Sequence, residues 1–302
     1  MRKIYDFFWN GVDARVYALV RIALAVGGLA NLIDLWPRRQ MYFSSSGMIS
    51  LDAVRLLSAG KYHWSVFYWV TSEAGVTAVF LAAGAALVAL GLGLGSRLAA
   101  ALVLAWHLSY SDRAFPVLHG WDAVLRSYTF LVFISPLGRI WSVDHLLRPR
   151  DSDGDDVPAY GVRLMQWQLL ILYTTTVWLK VPDPFWRTGQ VLAYFGMSQY
   201  SRNPDDLFMV HHEWVSAIGT YLTLATELAL PWLLWFRRTR PLGFLGGFGL
   251  HLSIATQARL GVFSMCMIAP YMAFLERPDV DWLVTLARAR TARDFKALLF
   301  AA

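Results

Sequence analysis

The stretch QWQLLILYTTTVWLKVPDPFW, Gln166–Trp186, decides how the chain is read. Its first half is an apolar helix long enough to enter a bilayer. It closes on a lone lysine, Lys180, followed by Pro182, Pro184 and two aromatics. Gln166, Tyr173 and Lys180 recur every seven residues, so they fall near one helix face, with Thr176 beside them. An amine near lipid depth is costly unless it has a partner, water or a task. The rest of the chain is therefore expected to build a membrane bundle around this polar face.

Composition points the same way. The 302 residues are 57% hydrophobic and 16% charged, whereas soluble domains run nearer about half apolar and about a quarter charged. Abundant Trp, Tyr and Phe suit interfacial belts. The single cysteine, Cys266, excludes an intrachain disulfide and any CxxC metal or redox site. The formal charge of +6 sits in short basic clusters between apolar runs, which is the pattern of cytoplasmic membrane loops. No nucleic-acid partner is expected from it. The first apolar run, Val16–Trp36, lacks a small-residue cleavage site and reads as a retained helix.

The apolar runs are Val16–Trp36, Val76–Leu94, Leu98–Tyr110, Ala123–Leu137, Leu164–Lys180, Trp214–Phe236, Pro241–Thr256 and Leu260–Leu275. They make about eight spans, several of them shorter than the ~20 residues of a full crossing. The expected fold is all-α: a polytopic integral membrane helical bundle over residues 1–275, with a basic amphipathic tail over 276–302. Gly91 with Gly95, and Gly243 with Gly247, are small-residue pairs that permit close helix packing. With the N-terminus in the cytoplasm, the inside segments carry roughly twice the Lys and Arg of the outside segments. Both termini are then cytoplasmic, and the chain is a multi-pass protein of the plasma membrane.

That topology gathers the titratable groups on the extracytoplasmic side. Lys180 ends an outward-going helix. His107 and His119 flank the outer end of the third span, and Arg126 opens the fourth. His251 lies in the seventh, shortly before its outer end at Gln257. Each has a bland reading: a terminal lysine snorkels to the headgroups, and a lone buried histidine bonds a backbone carbonyl. Glu227 is too deep to snorkel, and is expected to be neutral or paired with a cation such as Arg21, in a structural role. The His211–Glu213 run lacks HExxH spacing and Asp151–Asp156 lacks that of a calcium loop, so no metal is expected. The sharper reading is a proton-abstraction site. Desolvation disfavours the charged form of an amine, which lets a buried lysine act as a base, with nearby histidines orienting or relaying protons.

The order and spacing of several segments resemble the HTTM (horizontally transferred transmembrane) domain family, to which the vitamin K-dependent gamma-carboxylases belong. They are Asp13, Arg15 and Arg21; the HLS segment at His107 with Arg113; WSVDHLL at Trp141–Leu147; Leu172–Trp186; Glu227–Pro231; and HLSIATQARLGVFSM at His251–Met265. By that resemblance Lys180 stands where the carboxylase has the base that deprotonates vitamin K hydroquinone. His251 and His119 resemble its active-site histidines, although Leu118 stands where the carboxylase has an Asn. The implied catalytic groups are Lys180, His251 and His119. His107, Tyr173, Gln257 and Arg126 are the candidate contacts to a reduced quinone, the implied cofactor. The carboxylase's large luminal domain has no counterpart after the last span, so carboxylation of protein glutamates is not implied. The competing reading is a non-catalytic partner for a small peptide or another membrane protein, like the membrane component that matures a sporulation-delaying toxin. A transporter fits less well, because no inverted repeat is visible.

Overall fold

Helix boundaries follow the punctuation of the chain. The structure, a computed structural model, describes residues 2–60, 62–149 and 156–289. A short amphipathic helix, α1 (Arg2–Trp9), leads to Asp13, whose carboxylate accepts the Arg15 N–H at 2.9 Å and opens α2 (Ala14–Leu35). Ser72 opens α3 (Glu73–Leu92) in the same way, and Gly93 closes it in the left-handed region, φ 70°. Next come α4 (Ser96–Arg113), α5 (Gly120–Ile134), α6 (Tyr160–Lys180), α7 (Glu213–Trp235), α8 (Arg240–Gln257), α9 (Phe263–Ile268) and α10 (Arg277–Arg288). Helix α2 packs on α3, on α5 and on a 3-10 segment, Ala269–Phe274. Helix α7 lies between α6 and α8.

The distribution of side chains is that of a membrane protein. Three helical stretches, Ala14–Phe43, Glu73–Leu92 and Glu213–Trp235, are long and apolar enough to cross a bilayer. Leu98, Ile171, Trp178, Leu222 and Leu245 lie exposed on outer faces, while Arg21, His107, Arg113, Asp122, Glu227 and His251 are buried. Apolar outside and polar inside is the reverse of what water selects, and it is what lipid as a solvent allows.

One expectation needs correction. The run Leu260–Leu275 is not one helix, because Pro270 cannot continue an α-helical ladder and the chain tightens from α9 into the 3-10 segment. Two short strands accompany the helices of this all-α fold. Strands β1 (Gly11–Asp13) and β2 (Asp156–Pro158) pair antiparallel, with Val12 opposite Val157, and staple the start of α2 to the start of α6. The first part of the tail is helical and packs on the bundle. Val280 of α10 is fully buried, and Arg240 binds Glu276 at 2.8 Å and Asp279 at 3.3 Å. The acidic run before Asp156, and the tail beyond 289, lie outside the described residues.

WSVDHLL has a structural job. Asp144 accepts the Gly95 N–H at 2.7 Å, the Ser96 N–H at 2.8 Å and the Ser96 hydroxyl at 2.7 Å, capping α4 from a short helical turn, Val143–Leu147, distant in sequence. Burial acts to raise the Asp144 carboxyl, but the Ser96 and Gly95 hydrogen bonds and the Arg21 charge outweigh it and hold it below 3.8. A depressed carboxyl contributes stability that is present above its unfolded value and lost as pH falls through the folded one. Asp144→Asn is expected to cost about 1 kcal/mol near neutral pH, and to lose less stability than the wild type below about pH 4. Thermal unfolding across a pH series checks this. Equal stability of the two proteins at neutral pH would show that the cap contributes nothing.

Candidate functional site

Lys180 is the last residue of α6, stopped by the Val181-Pro182 step. Asp183 then accepts the Phe185 N–H at 2.9 Å and starts a single helical turn, Pro184–Arg187. That turn folds the Trp186 ring over the Lys180 ammonium, 4.5 Å from Nζ to the centroid. From the other side, Nζ donates to both oxygens of Glu227 at 2.6 Å. The pair is largely out of water, with side chains 21% and 9% exposed. Glu227 sits on α7 four residues before Pro231, which has no N–H to return to the Glu227 carbonyl.

The partner of Glu227 is therefore not Arg21. Arg21 donates to the carbonyls of Leu90 at 2.8 Å and Trp141 at 2.6 Å, on α3 and the loop after α5. Lys180 and Glu227 meet because of side-chain direction. Each Cα–Cβ bond leans toward its own helix N-terminus, and α6 and α7 are neighbours connected in sequence. On antiparallel helices the two side chains lean toward each other.

A second polar group lies about two turns back along α6. The Tyr173 hydroxyl meets Nε2 of His251 at 2.9 Å and the Tyr271 hydroxyl at 2.7 Å, all three residues buried. Gly247 makes this possible, since a Cβ there would come within 2.6 Å of the Tyr271 ring. Nδ1 of His251 is buried with no partner among the described residues. The Ser264 hydroxyl donates to the His251 carbonyl at 2.8 Å, folding the segment after α8 back over the helix. Seven residues of helix separate Tyr173 from Lys180, roughly 10 Å, so the histidine and the amine share a face without touching.

His119 belongs to a third setting. It precedes α5, with its N–H on Asp122 at 2.8 Å and its ring stacked on Trp121 at 4.1 Å. Asp122 also accepts the Tyr110 hydroxyl at 2.7 Å, and Asn31 bonds Tyr110 and Trp121 at 3.1 and 2.8 Å. This network forms one wall of a cavity of about 360 Å³, lined among others by Asn31, Asp34, Tyr110, His119, Trp121 and Asp122. Phe263 divides it from His251, its ring 6.3 Å from Trp121 and 5.7 Å from His251.

The remaining expected contacts scatter. His107 is sealed between helices, Nδ1 on the Thr129 hydroxyl at 3.0 Å, and lines neither this cavity nor the larger one described below. Arg126 is half-buried on α5, away from both linings. Gln257 is exposed at the end of α8, its amide on Ser253 at 3.3 Å and its carbonyl accepting the Arg202 N–H at 2.9 Å. It anchors a turn. Tyr271, Asn31 and Trp121 went unread in the sequence. Asp122 had a signal, since it stands three residues after His119 at capping-box spacing.

Buried ion pairs and tyrosine–histidine hydrogen bonds inside an apolar-faced bundle define a helical membrane protein with an internal polar track. Within that class the family is specific: a model of the HTTM domain matches residues 12–282, and the chain belongs to this family. No solved structure matches the chain.

Proposed function

We propose that this is a polytopic plasma-membrane protein of about eight spans with both termini cytoplasmic, and that it is a proton-abstracting enzyme whose base, Lys180, lies at the extracytoplasmic end of α6. The observation that carries the reading is Lys180 held on both Glu227 oxygens at 2.6 Å inside the bundle. A buried pair of this kind gives little net stability, so its presence calls for a task. One proton separates the ion pair from a neutral amine beside a carboxylic acid. Once Glu227 takes that proton, the amine has a free lone pair, and an acidic hydroxyl placed at Nζ would pass its proton to it. The ammonium so formed would hold the resulting anion.

The substrate class that fits is a reduced quinone, as the carboxylase branch of the family implies. Trp186 offers a flat apolar face at Lys180, and Nδ1 of His251, buried without a partner among the described residues, is a polar atom still to be satisfied. A reduced quinone would supply the acidic hydroxyl and the electrons for oxidation or epoxidation by oxygen. Lys180 and His251 are assigned to the reaction, Tyr173 to positioning His251, and His119 to the separate cavity on the same side.

A second reading has its own observation. Glu227 and Trp186 between them enclose the ammonium, as a clamp between α6 and α7 would. The protein would then be a non-catalytic membrane partner for peptide maturation. One experiment separates the two. Purified protein in lipid nanodiscs is given a naphthoquinol, and oxygen uptake and oxidised products are measured. Wild type is expected to turn over, and Lys180→Met to lose about a hundredfold or more. If wild type neither binds nor oxidises the quinol, the enzymatic reading is wrong.

A further inference from the structure

The larger cavity lies at the other end of α6, roughly 25 Å from Lys180 by helix rise. Its volume is about 500 Å³, and its lining includes Phe7, Arg163, Gln166, Trp235, Arg240 and Arg277. Carboxylates reach it as well, but each is already closed on an arginine. Asp13 takes Arg15 at 2.5 Å, Asp156 takes Arg277 at 2.5 Å, and Glu276 takes Arg240 at 2.8 Å. Arg163 is different. Among the described residues it meets no carboxylate. It donates through Nη1 to Gln166 Oε1 at 2.9 Å, and its buried Nε has no partner.

Arg163 is also held in place. Its guanidinium lies over the Phe7 ring, 4.8 Å from Cζ to the centroid. Gln166 is itself fixed, donating to the Ala273 carbonyl at 2.8 Å. The cavity therefore presents a planar, oriented cation with an unmet donor, in a polar lining that also holds aromatic and aliphatic side chains. Phe7 comes from α1, whose Ile4, Tyr5 and Trp9 are exposed beside Arg2 and Lys3. That is the make-up of a helix lying in a membrane interface.

We propose that this cavity binds a phosphate-bearing anion, with Arg163 as its anchor. A guanidinium offers two parallel donors to phosphate oxygens, and binding would supply the directly paired anion that Arg163 lacks among the described residues. Phe7, Trp235, Phe274 and Leu275 in the otherwise polar lining suit the first part of the acyl chains of an anionic phospholipid entering from the adjoining leaflet. The proposal rests on the bundle and is independent of the proton-transfer reading.

The test uses the full chain in maltoside detergent and reads the thermal unfolding midpoint. Short-chain phosphatidylglycerol, short-chain phosphatidylcholine and inorganic phosphate are titrated separately. Phosphatidylglycerol is expected to raise the midpoint saturably and phosphatidylcholine is not. Arg163→Met is expected to weaken the apparent affinity about tenfold or more. If phosphate alone matches phosphatidylglycerol, the source is a soluble phosphate; if only the lipid acts, it is a headgroup. Should Arg163→Met fail to fold, Leu275→Trp carries the test, because it fills the cavity and leaves the guanidinium in place. It too should lose the response. An undiminished response in either variant, or no response of wild type to either anion, overturns the proposal.

Discussion

Glu227→Leu alone is expected to destabilise the protein by about 3–5 kcal/mol, because it strands the Lys180 ammonium inside the bundle with only the Trp186 face for company. Lys180→Met should also be destabilising, for the mirror reason. The double variant Lys180→Met/Glu227→Leu should recover most of that loss, since two matched apolar side chains need no desolvation of charge. Thermal unfolding of the four proteins in nanodiscs measures the cycle. Singles within about 0.5 kcal/mol of wild type would mean that water reaches the pair and that it is a surface bridge of little consequence. The cycle also sharpens the functional question. A pair that serves only as a clamp is dispensable once replaced by a stable apolar contact, so the double variant should work. A pair that holds the reaction's proton is not, so the double variant should be stable and inactive.

The same pair shows where reading the sequence stops. The helices were legible, because runs of apolar residues with terminal prolines, glycines and arginines mark them directly. Read as Trp214–Phe236, α7 is observed as Glu213–Trp235, and α8 was read within one residue at each end. That Lys180, Glu227 and His251 are costly in lipid was legible too, since cost depends only on residue type and depth. Partnership was not. Arg21 and Glu227 both stood inside spans and were matched on that ground, yet which helix faces which is a property of packing. Arg21 found two carbonyls, and Glu227 found a lysine that leans back along its own helix.

The candidate site divides along similar lines. Tyr173 was placed on the Lys180 face by a seven-residue spacing, and the hydroxyl does point into the bundle. Tyr271 completes its hydrogen bonds from a stretch read as one more apolar span, where nothing distinguished it from a core aromatic. His119 and His251 shared a side of the membrane by topology, but a single phenyl ring, Phe263, is enough to put them in different compartments. Depth orders residues along one axis only, and the site is arranged in the other two.

Gly93→Ala is expected to cost about 2–4 kcal/mol, although it adds one methyl group. Gly93 sits at φ 70°, where an L side chain costs about 1–2 kcal/mol. A Cβ there would also run into the Arg21 guanidinium and Ser142. Arg21 is 1% exposed and donates to Leu90 and Trp141. Driving it off those carbonyls forfeits charge-assisted hydrogen bonds worth about 1.5–3 kcal/mol. Arg21→Met should cost a similar amount by orphaning the same carbonyls. The two changes break one contact, so Gly93→Ala/Arg21→Met should fall well short of their sum, as judged by unfolding midpoints of the single and double variants. Additive losses would show that the glycine and the arginine act separately, and that the early arginine of the family pattern is held by something other than the α3–α4 turn. Sub-additive losses would place Asp13, Arg21, Gly93 and Asp144 in one scaffold. Arg21 and Asp144 meet at the α3–α4 turn, and Asp13 opens the same helix α2 that carries Arg21. The resemblance segments at the start of the chain and at Trp141–Leu147 would then be explained as structure, leaving those around Lys180, Glu227 and His251 to carry the chemistry.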